Sequence, residues 1–417
     1  MQTAIDEHLL PPHARAQADA ALRKCVHCGF CNATCPTYQL TGNELDGPRG
    51  RIYLIKQALE GNAPTQVTQR HLDRCLTCTA CESTCPSGVP YHTLLGIGRE
   101  LVDEQVARPG SGGLKRKLIR TIASRTWLFR LAVWLGRRLR AVLPTALRAA
   151  VPTQGKPLRP SPEGAALRAE TDAPTAVLLR GCVHPVLAPA THEAATRVLT
   201  RLGTKVISAR EVGCCGALHH HFGDAKGARR RVQRNVSRLA RLMDEKGVES
   251  IVTTASGCSA FMRDYPSLLA DPHTGAIPAE AQRVADALRD IAQVLPPEAL
   301  AALTTAEATS RRGPQLHCPC TLEHGLGLSS RVREVLQAVG LDAKADPHAG
   351  ACCGSAGAWS VLEPEMAHRL GERRAGQLDA DDPDLILSAN VGCQQHLSRH
   401  TDTPVRHWIE EVEARTR

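Results

Sequence analysis

Two cysteine runs of identical spacing constrain this chain more than anything else in it. CVHCGFCNATCP spans Cys25–Pro36 and CLTCTACESTCP spans Cys75–Pro86, and both read C-x2-C-x2-C-x3-C-P. Spacing by three sets successive thiols around one face of a tight loop, so three sulfurs can cap three corners of an iron–sulfur cube. The fourth cysteine, followed by proline, starts the next helix and points toward the other cluster. The pattern predicts crossed ligation. Cys25, Cys28, Cys31 and Cys85 would hold one 4Fe–4S cluster, and Cys75, Cys78, Cys81 and Cys35 the other. Soft thiolates select iron–sulfur clusters or zinc over hard cations. Two zinc sites are the bland alternative, but zinc requires neither the trailing Cys-Pro nor a second matching run. Neither motif leaves an iron position open, so the pair suits single-electron transfer and not substrate chemistry.

Composition narrows the class further. The chain has 417 residues, enough for two or three domains, and 17 cysteines. An odd count with repeated C-x-x-C spacing argues against a secreted disulfide scaffold and for thiolates kept reduced in a cytoplasm. Aromatics are only 3%, which argues against a stacking platform for single-stranded nucleic acid. The start of the sequence shows early acidic residues and no apolar export segment. The longest uncharged stretch, Ser87–Gly98, is about half a membrane span and contains Gly and Pro. A transmembrane subunit is not expected.

Charge locates a linker. The formal net charge is +9, yet Gln105–Pro162 alone holds thirteen Lys or Arg and no Asp or Glu. Leu118, Ile122, Trp127, Leu131, Trp134 and Leu139 recur there at roughly helical spacing. Such a helix suits either an anionic membrane surface or a partner subunit. Its end, Pro152–Pro162, is proline-rich and reads as an extended connector. Between the two cysteine runs, GPRGRIYLIKQALEGN predicts a helix with Pro48 in its first turn and Gly61-Asn62 as its stop.

Beyond the linker an internal repeat appears. TAVLLRGC (175–182), GCCG (213–216) and ESIVTTASGC (249–258) recur as PQLHCPC (314–320), ACCG (351–354) and DLILSANVGC (384–393). In both copies 31 residues separate the first cysteine from the Cys pair. The apolar segments ending in cysteine read as strands, separated by helices over roughly 187–203, 225–246, 330–339 and 363–378. This alternation indicates α/β units. The expected fold class is α+β and multi-domain. A helical ferredoxin-type domain (1–104) precedes a basic amphipathic helix and Pro-rich linker (105–170), a first C-C-G repeat (171–313) and a second (314–417).

Each repeat gathers four cysteines: Cys182, Cys214, Cys215 and Cys258 in the first, and Cys320, Cys352, Cys353 and Cys393 in the second. In open α/β sheets, ligands bind beyond the carboxyl ends of the strands, so each set could converge. The sequence leaves three readings open: an additional metal–sulfur cluster, buried structural cysteines, or a redox disulfide or zinc site. With eight ferredoxin-type ligands and two sets of four, Cys318 remains unassigned. His219, His220 and His221 follow the first C-C-G as ligands, proton carriers or a solvated basic loop. His324 and His396 follow repeat cysteines and are further candidate ligands. No nucleotide- or flavin-binding fingerprint is visible, so another chain must remove electrons from a substrate.

These features resemble one family. The first cysteine run, TGNELDGPRGRIYLIKQALEG, the second run, GCCGALHHH (213–221), ACCGSAGAW (351–359) and SANVGCQQHL (388–397) are similar to iron–sulfur subunits of bacterial glycolate oxidase (glycolate dehydrogenase). The resemblance covers nearly the whole chain. It implies a cysteine-rich domain of the heterodisulfide-reductase type and two FAD-containing partner subunits that oxidise glycolate to glyoxylate. It further implies delivery of electrons to a quinone or similar membrane acceptor. The chain would then be a non-flavin subunit, not catalytic alone. Its place would be cytoplasmic, peripheral on the inner face of the bacterial inner membrane. Equivalent subunits of glycerol-3-phosphate or lactate dehydrogenases share the architecture, and a thiol–disulfide reductase is a different-class alternative. One departure bears on the last. Heterodisulfide reductases carry a fifth cysteine in C-x-x-C, where this chain has Phe261 and His396.

Overall fold

The computed structural model describes residues 1–142, 151, 173–304 and 313–416. Four helices frame the two cysteine loops: Pro12–Lys24, Pro48–Leu59, Gln66–Asp73 and Tyr91–Gln105. Pro48 opens the second where a missing N–H costs nothing. Ile52, Ile55 and Leu59 form its buried stripe, and Gly61 at φ 89° ends the turn after it. A Cβ on Gly98 would meet Ile55 Cγ1 at 2.5 Å, so glycine permits the close approach of two of these helices. Cys25, Cys75 and Cys81 sit within the same apolar core as Leu22, Leu59 and Leu94. The cysteine loops are therefore part of the packing.

The basic segment folds as two helices, Gly112–Ala123 and Thr126–Arg138, where the sequence predicts one. The break falls at buried Ser124. Its hydroxyl accepts a bond from Arg231 Nη2 at 3.1 Å and lies 3.4 Å from His219 Nε2, which ties the chain to the first repeat. The proline-rich connector lies outside the described residues.

The repeats form two small parallel sheets. The first contains β1 (Thr175–Leu178), β2 (Lys205–Ser208), β3 (Ser250–Thr253) and β4 (Leu288–Asp290), in the order β2-β1-β3-β4. The second contains β5 (Gln315–His317), β6 (Ile386–Ser388) and β7 (Val405–His407), in the order β5-β6-β7. A parallel bridge between Gln315 and Lys344 stands where the first copy has β2. Both copies thus share one topology. The strands read from 249–258 and 384–393 are shorter than expected. Cys258 and Cys393 lie in the helices Ser256–Arg263 and Val391–Leu397 that follow them. In the first copy a hydrogen bond between the Thr253 and Ser259 hydroxyls, 2.6 Å long, turns the chain out of the strand.

The two copies share a core. The terminal helix Trp408–Arg415 packs on Pro189–Arg201 of the first copy, while Pro297–Leu303 packs on Ser329–Ala338 of the second. Trp408, Ile409 and Val412 join Ala194, Val198 and Leu316 in one buried cluster. Glu413 pairs with Arg197 and Arg201 across this seam, each at 3.1 Å.

Candidate metal centres

The two ferredoxin-type loops coil alike. His27 and Gly29 in the first, and Thr77 and Thr79 in the second, are all left-handed, with φ of 57°, 85°, 54° and 58°. These positions are two and four residues after the first cysteine of each run. They wind the loop tightly enough to face its thiols inward, and Thr77 N–H bonds Cys75 Sγ at 3.5 Å. Short helices Phe30–Ala33 and Ala80–Ser83 then carry Cys31 and Cys81. Cys35 caps the helix beginning at Pro36, as the spacing predicts. Cys85 instead opens a turn closed by Gly88 N–H to Cys85 O at 3.2 Å.

The thiols sort into two groups across the loops. Burial pushes the Cys25 thiol up, and like charge from Cys85 and Cys28 adds to it. Burial, with Cys25 and Cys28, pushes Cys31 up to about 11. Burial also raises Cys78, followed by Cys352, Cys35 and Cys75, and raises Cys81, followed by Cys78 and Cys75, with Cys35 contributing less. Cys85 thus neighbours the first loop and Cys35 the second. Thiols crowded this closely oppose one another's ionisation, and a bound cationic centre reverses that preference. Cys28, Val26 and Phe30 are exposed beside the first group. The second group is deeper.

Buried polar groups surround that second group. Arg51, 1% exposed, donates to His71 O at 2.8 Å and Thr37 Oγ1 at 3.0 Å, and its Nη1 lies 3.9 Å from Cys35 Sγ. Asp46, fully buried, receives Arg74 Nη1 at 3.0 Å and His71 Nδ1 at 2.8 Å. Tyr91 OH lies 3.7 Å from Cys75 Sγ. The sequence reading missed Arg51 and Tyr91, because no local spacing rule marks a polar residue that packs against a thiol.

Each repeat also gathers its cysteines at the carboxyl ends of its strands. In the first, Cys182 neighbours Cys214, Cys214 neighbours Cys215, and Cys215 neighbours Cys258. The neighbouring thiol of Cys182 holds Cys214 well below the ordinary thiol range, while Cys182 and Cys215 are driven up. In the second, Cys320 neighbours Cys352 and Cys353 neighbours Cys393. A ring nitrogen of His317 lies within 4.8 Å of the sulfurs of Cys353 and Cys393. Cys318 lies apart from both sets, buried in the core that the two copies share.

A cavity of about 1020 Å³ joins these groups. Its walls include Cys35, Cys75, Cys78 and Cys81 together with all eight repeat cysteines. Cys78 packs with Cys320 and Cys352 around Leu76 and Trp359, so the second ferredoxin-type group adjoins the second repeat.

The five histidines predicted from the sequence fall into different roles. His219, His220 and His221 form the short helix Ala217–His221, not a solvated loop. His219 is buried and bonds Asp224 Oδ2 at 2.7 Å. His220 and His221 pack on Phe261 at the cavity wall, and burial lowers His220 to about 4. His324 Nδ1 bonds Ser83 Oγ at 3.0 Å, joining the second repeat to the second cysteine run. His396 Nε2 donates to Ala367 O at 3.0 Å.

Fold and site together define an iron–sulfur electron-transfer protein, a dicluster ferredoxin unit joined to a duplicated cysteine-rich α/β unit. Family models agree. Residues 21–89 match the 4Fe-4S dicluster domain, and residues 176–263 and 315–398 match the cysteine-rich domain. The chain is 43% identical to the glycolate oxidase iron–sulfur subunit of Escherichia coli (strain K12), over 99% of this chain and 98% of that protein. It is 28% identical to the probable glycolate oxidase iron–sulfur subunit of Bacillus subtilis (strain 168), over 90% and 88%. It is 24% identical to a subunit of the dihydromethanophenazine:CoB–CoM heterodisulfide reductase of Methanosarcina mazei, over 92% and 90%. The chain belongs to the glycolate oxidase iron–sulfur subunit family.

Proposed function

We propose that this chain carries electrons from two FAD-containing subunits, which oxidise glycolate to glyoxylate, toward a membrane quinone. When bound, the clusters supply reversible one-electron storage. Cys25, Cys28, Cys31 and Cys85 hold the first, and Cys75, Cys78, Cys81 and Cys35 the second. The cysteines of each repeat, Cys182, Cys214, Cys215 and Cys258, and Cys320, Cys352, Cys353 and Cys393, hold further metal–sulfur centres. The units carrying these sites are residues 1–104, 171–313 and 314–417, with 105–170 between them. The observation that carries the reading is the packing of Cys78 against Cys320 and Cys352, which gives the second cluster a neighbour in the second repeat. Arg51, Tyr91 and the surrounding core orient the thiols and exclude water.

The exposed face of the two basic helices supports peripheral attachment at the cytoplasmic side of the membrane. Trp127, Leu131, Trp134 and Leu139 are exposed there, and Lys117, Arg130 and Arg138 stand among them in solvent. No helix among the described residues is long and apolar enough to cross a membrane.

The test is reconstitution. The purified chain alone should not reduce an artificial dye with glycolate, and adding its flavoprotein partners should restore dye reduction. Cys78→Ser should block quinone reduction while leaving flavin reduction by glycolate intact. Glycolate turnover by the chain alone would overturn the reading.

A further inference from the structure

His317 is fully buried at the end of β5. Its Nδ1 lies 3.0 Å from Ser388 Oγ on the neighbouring strand. Its Nε2 is buried and has no hydrogen-bond partner. An imidazole nitrogen left unpaired in the interior is costly, and the nearest chemistry here is the pair of sulfurs within 4.8 Å, Cys353 and Cys393. Metal-bound histidines commonly show this arrangement: one ring nitrogen is anchored by an outer partner, which fixes the tautomer, and the other is left free to coordinate.

Among the described residues, no histidine groups in this way with the first-repeat cysteines. Leu179 and His317 each stand three residues ahead of the first repeat cysteine, Cys182 and Cys320. Leu179 packs in an apolar cluster with Val177 and Ile251. His396, at the position of the missing fifth cysteine, gives its Nε2 to Ala367 O, and its unpartnered Nδ1 does not join the sulfurs of Cys353 and Cys393 at ligand distance as the His317 ring does.

We propose that His317 is a nitrogen ligand of the metal centre in the second repeat. That centre is a mixed imidazole–thiolate site, whereas the first repeat is a thiolate site alone. This rests on the reading that the second-repeat cysteines hold metal. Soft sulfur with one imidazole suits iron–sulfur or zinc. A neutral imidazole at this position leaves less negative charge on the centre than a thiolate there would and, for an iron–sulfur centre, holds its reduction potential higher.

The test uses the full chain, reconstituted anaerobically with iron and sulfide and labelled with 15N-histidine. Pulsed electron paramagnetic resonance should show a strongly coupled histidine nitrogen in the wild type. The coupling should be lost in His317→Ala and kept in His396→Ala. His317→Cys should keep the metal, lack the nitrogen coupling and shift the centre to lower potential. Metal beyond eight irons with no coupled histidine nitrogen, or a coupling that persists in His317→Ala, would overturn the assignment. If zinc fills the site, its absorption edge should show nitrogen in the first shell, and an all-sulfur shell would overturn it. A chain holding eight irons and no further metal would overturn both this assignment and the reading beneath it. The wild-type measurement stands even where a variant fails to fold.

Discussion

Arg51 Nη1 lies 3.9 Å from Cys35 Sγ, inside a core that excludes water from both. Burial opposes the guanidinium charge, but Cys75, Tyr91, Cys35 and Asp46 outweigh it and keep Arg51 protonated. A fixed positive charge therefore sits beside the thiols proposed to hold the second cluster. Positive charge and hydrogen bonds at cluster sulfurs favour the reduced state. Arg51 is thus a positioning residue that also sets potential.

Arg51→Gln should lower the potential of the cluster at Cys35, Cys75, Cys78 and Cys81, leaving the other cluster unshifted. A redox titration followed by electron paramagnetic resonance reads both. The variant should also lose about 1–3 kcal/mol of stability, because the buried His71 O and Thr37 Oγ1 lose the guanidinium that donates to them. An unchanged potential in a folded variant would remove the electrostatic role.

Crossed ligation has its own test. Cys35→Ser should damage the cluster of the second run, since Cys35 neighbours Cys78 and Cys81. Cys85→Ser should damage that of the first, since Cys85 neighbours Cys25. Spectra showing the opposite losses would refute the crossed assignment.

The ferredoxin-type loops were legible because their rule is local: spacing by three and a trailing proline act within one turn of chain. The repeat was legible because equal intervals of 31 residues recur around the same C-C-G. Strand ends were not, since the residues after β3 and β6 (Thr-Ala-Ser-Gly, Ala-Asn-Val-Gly) are small and uncharged and carry no visible stop. The packing of Trp408–Arg415 on the first repeat depends on residues far apart in the chain and left no local mark. His317 was hidden for a different reason. Its sequence neighbours, Leu316 and Cys318, are core residues, and only the fold shows that its ring faces the other way, toward Cys353 and Cys393.

Membrane attachment should respond to salt. Each basic residue near anionic lipid contributes about 1 kcal/mol and is screened over about 10 Å at moderate ionic strength. The complex should sediment with membranes at low salt and be released at high salt. Lys117→Gln, Arg130→Gln and Arg138→Gln together should weaken sedimentation and leave iron content unchanged. Arg116 and Arg120 are unsuitable for this test, because they pair internally with Asp73 at 2.7 Å and Asp224 at 3.8 Å. If the triple variant stays on membranes but loses its flavoprotein partners, the helices dock protein instead.

Acid should loosen the seam between the repeats. His407, fully buried at the end of β7, lies with Nε2 2.9 Å from Thr254 O of the first copy and accepts Ile409 N–H at Nδ1, 3.2 Å away. Burial lowers its pKa from about 6.5 to about 4. Between those values the unfolded chain binds a proton that the folded chain refuses, so stability falls as pH drops through this window and is fully present above it. The loss from this residue between pH 7 and pH 5 is about 2 kcal/mol. His407→Gln keeps a donor and an acceptor but cannot titrate. It should therefore be less stable than wild type at pH 7 by the imperfect fit of its amide, and the gap should narrow or reverse at pH 5. Urea unfolding followed by the fluorescence of Trp408 and the other tryptophans measures the difference at each pH. A gap that stays constant from pH 7 to pH 5 would show that His407 does not couple protonation to the joining of the two copies.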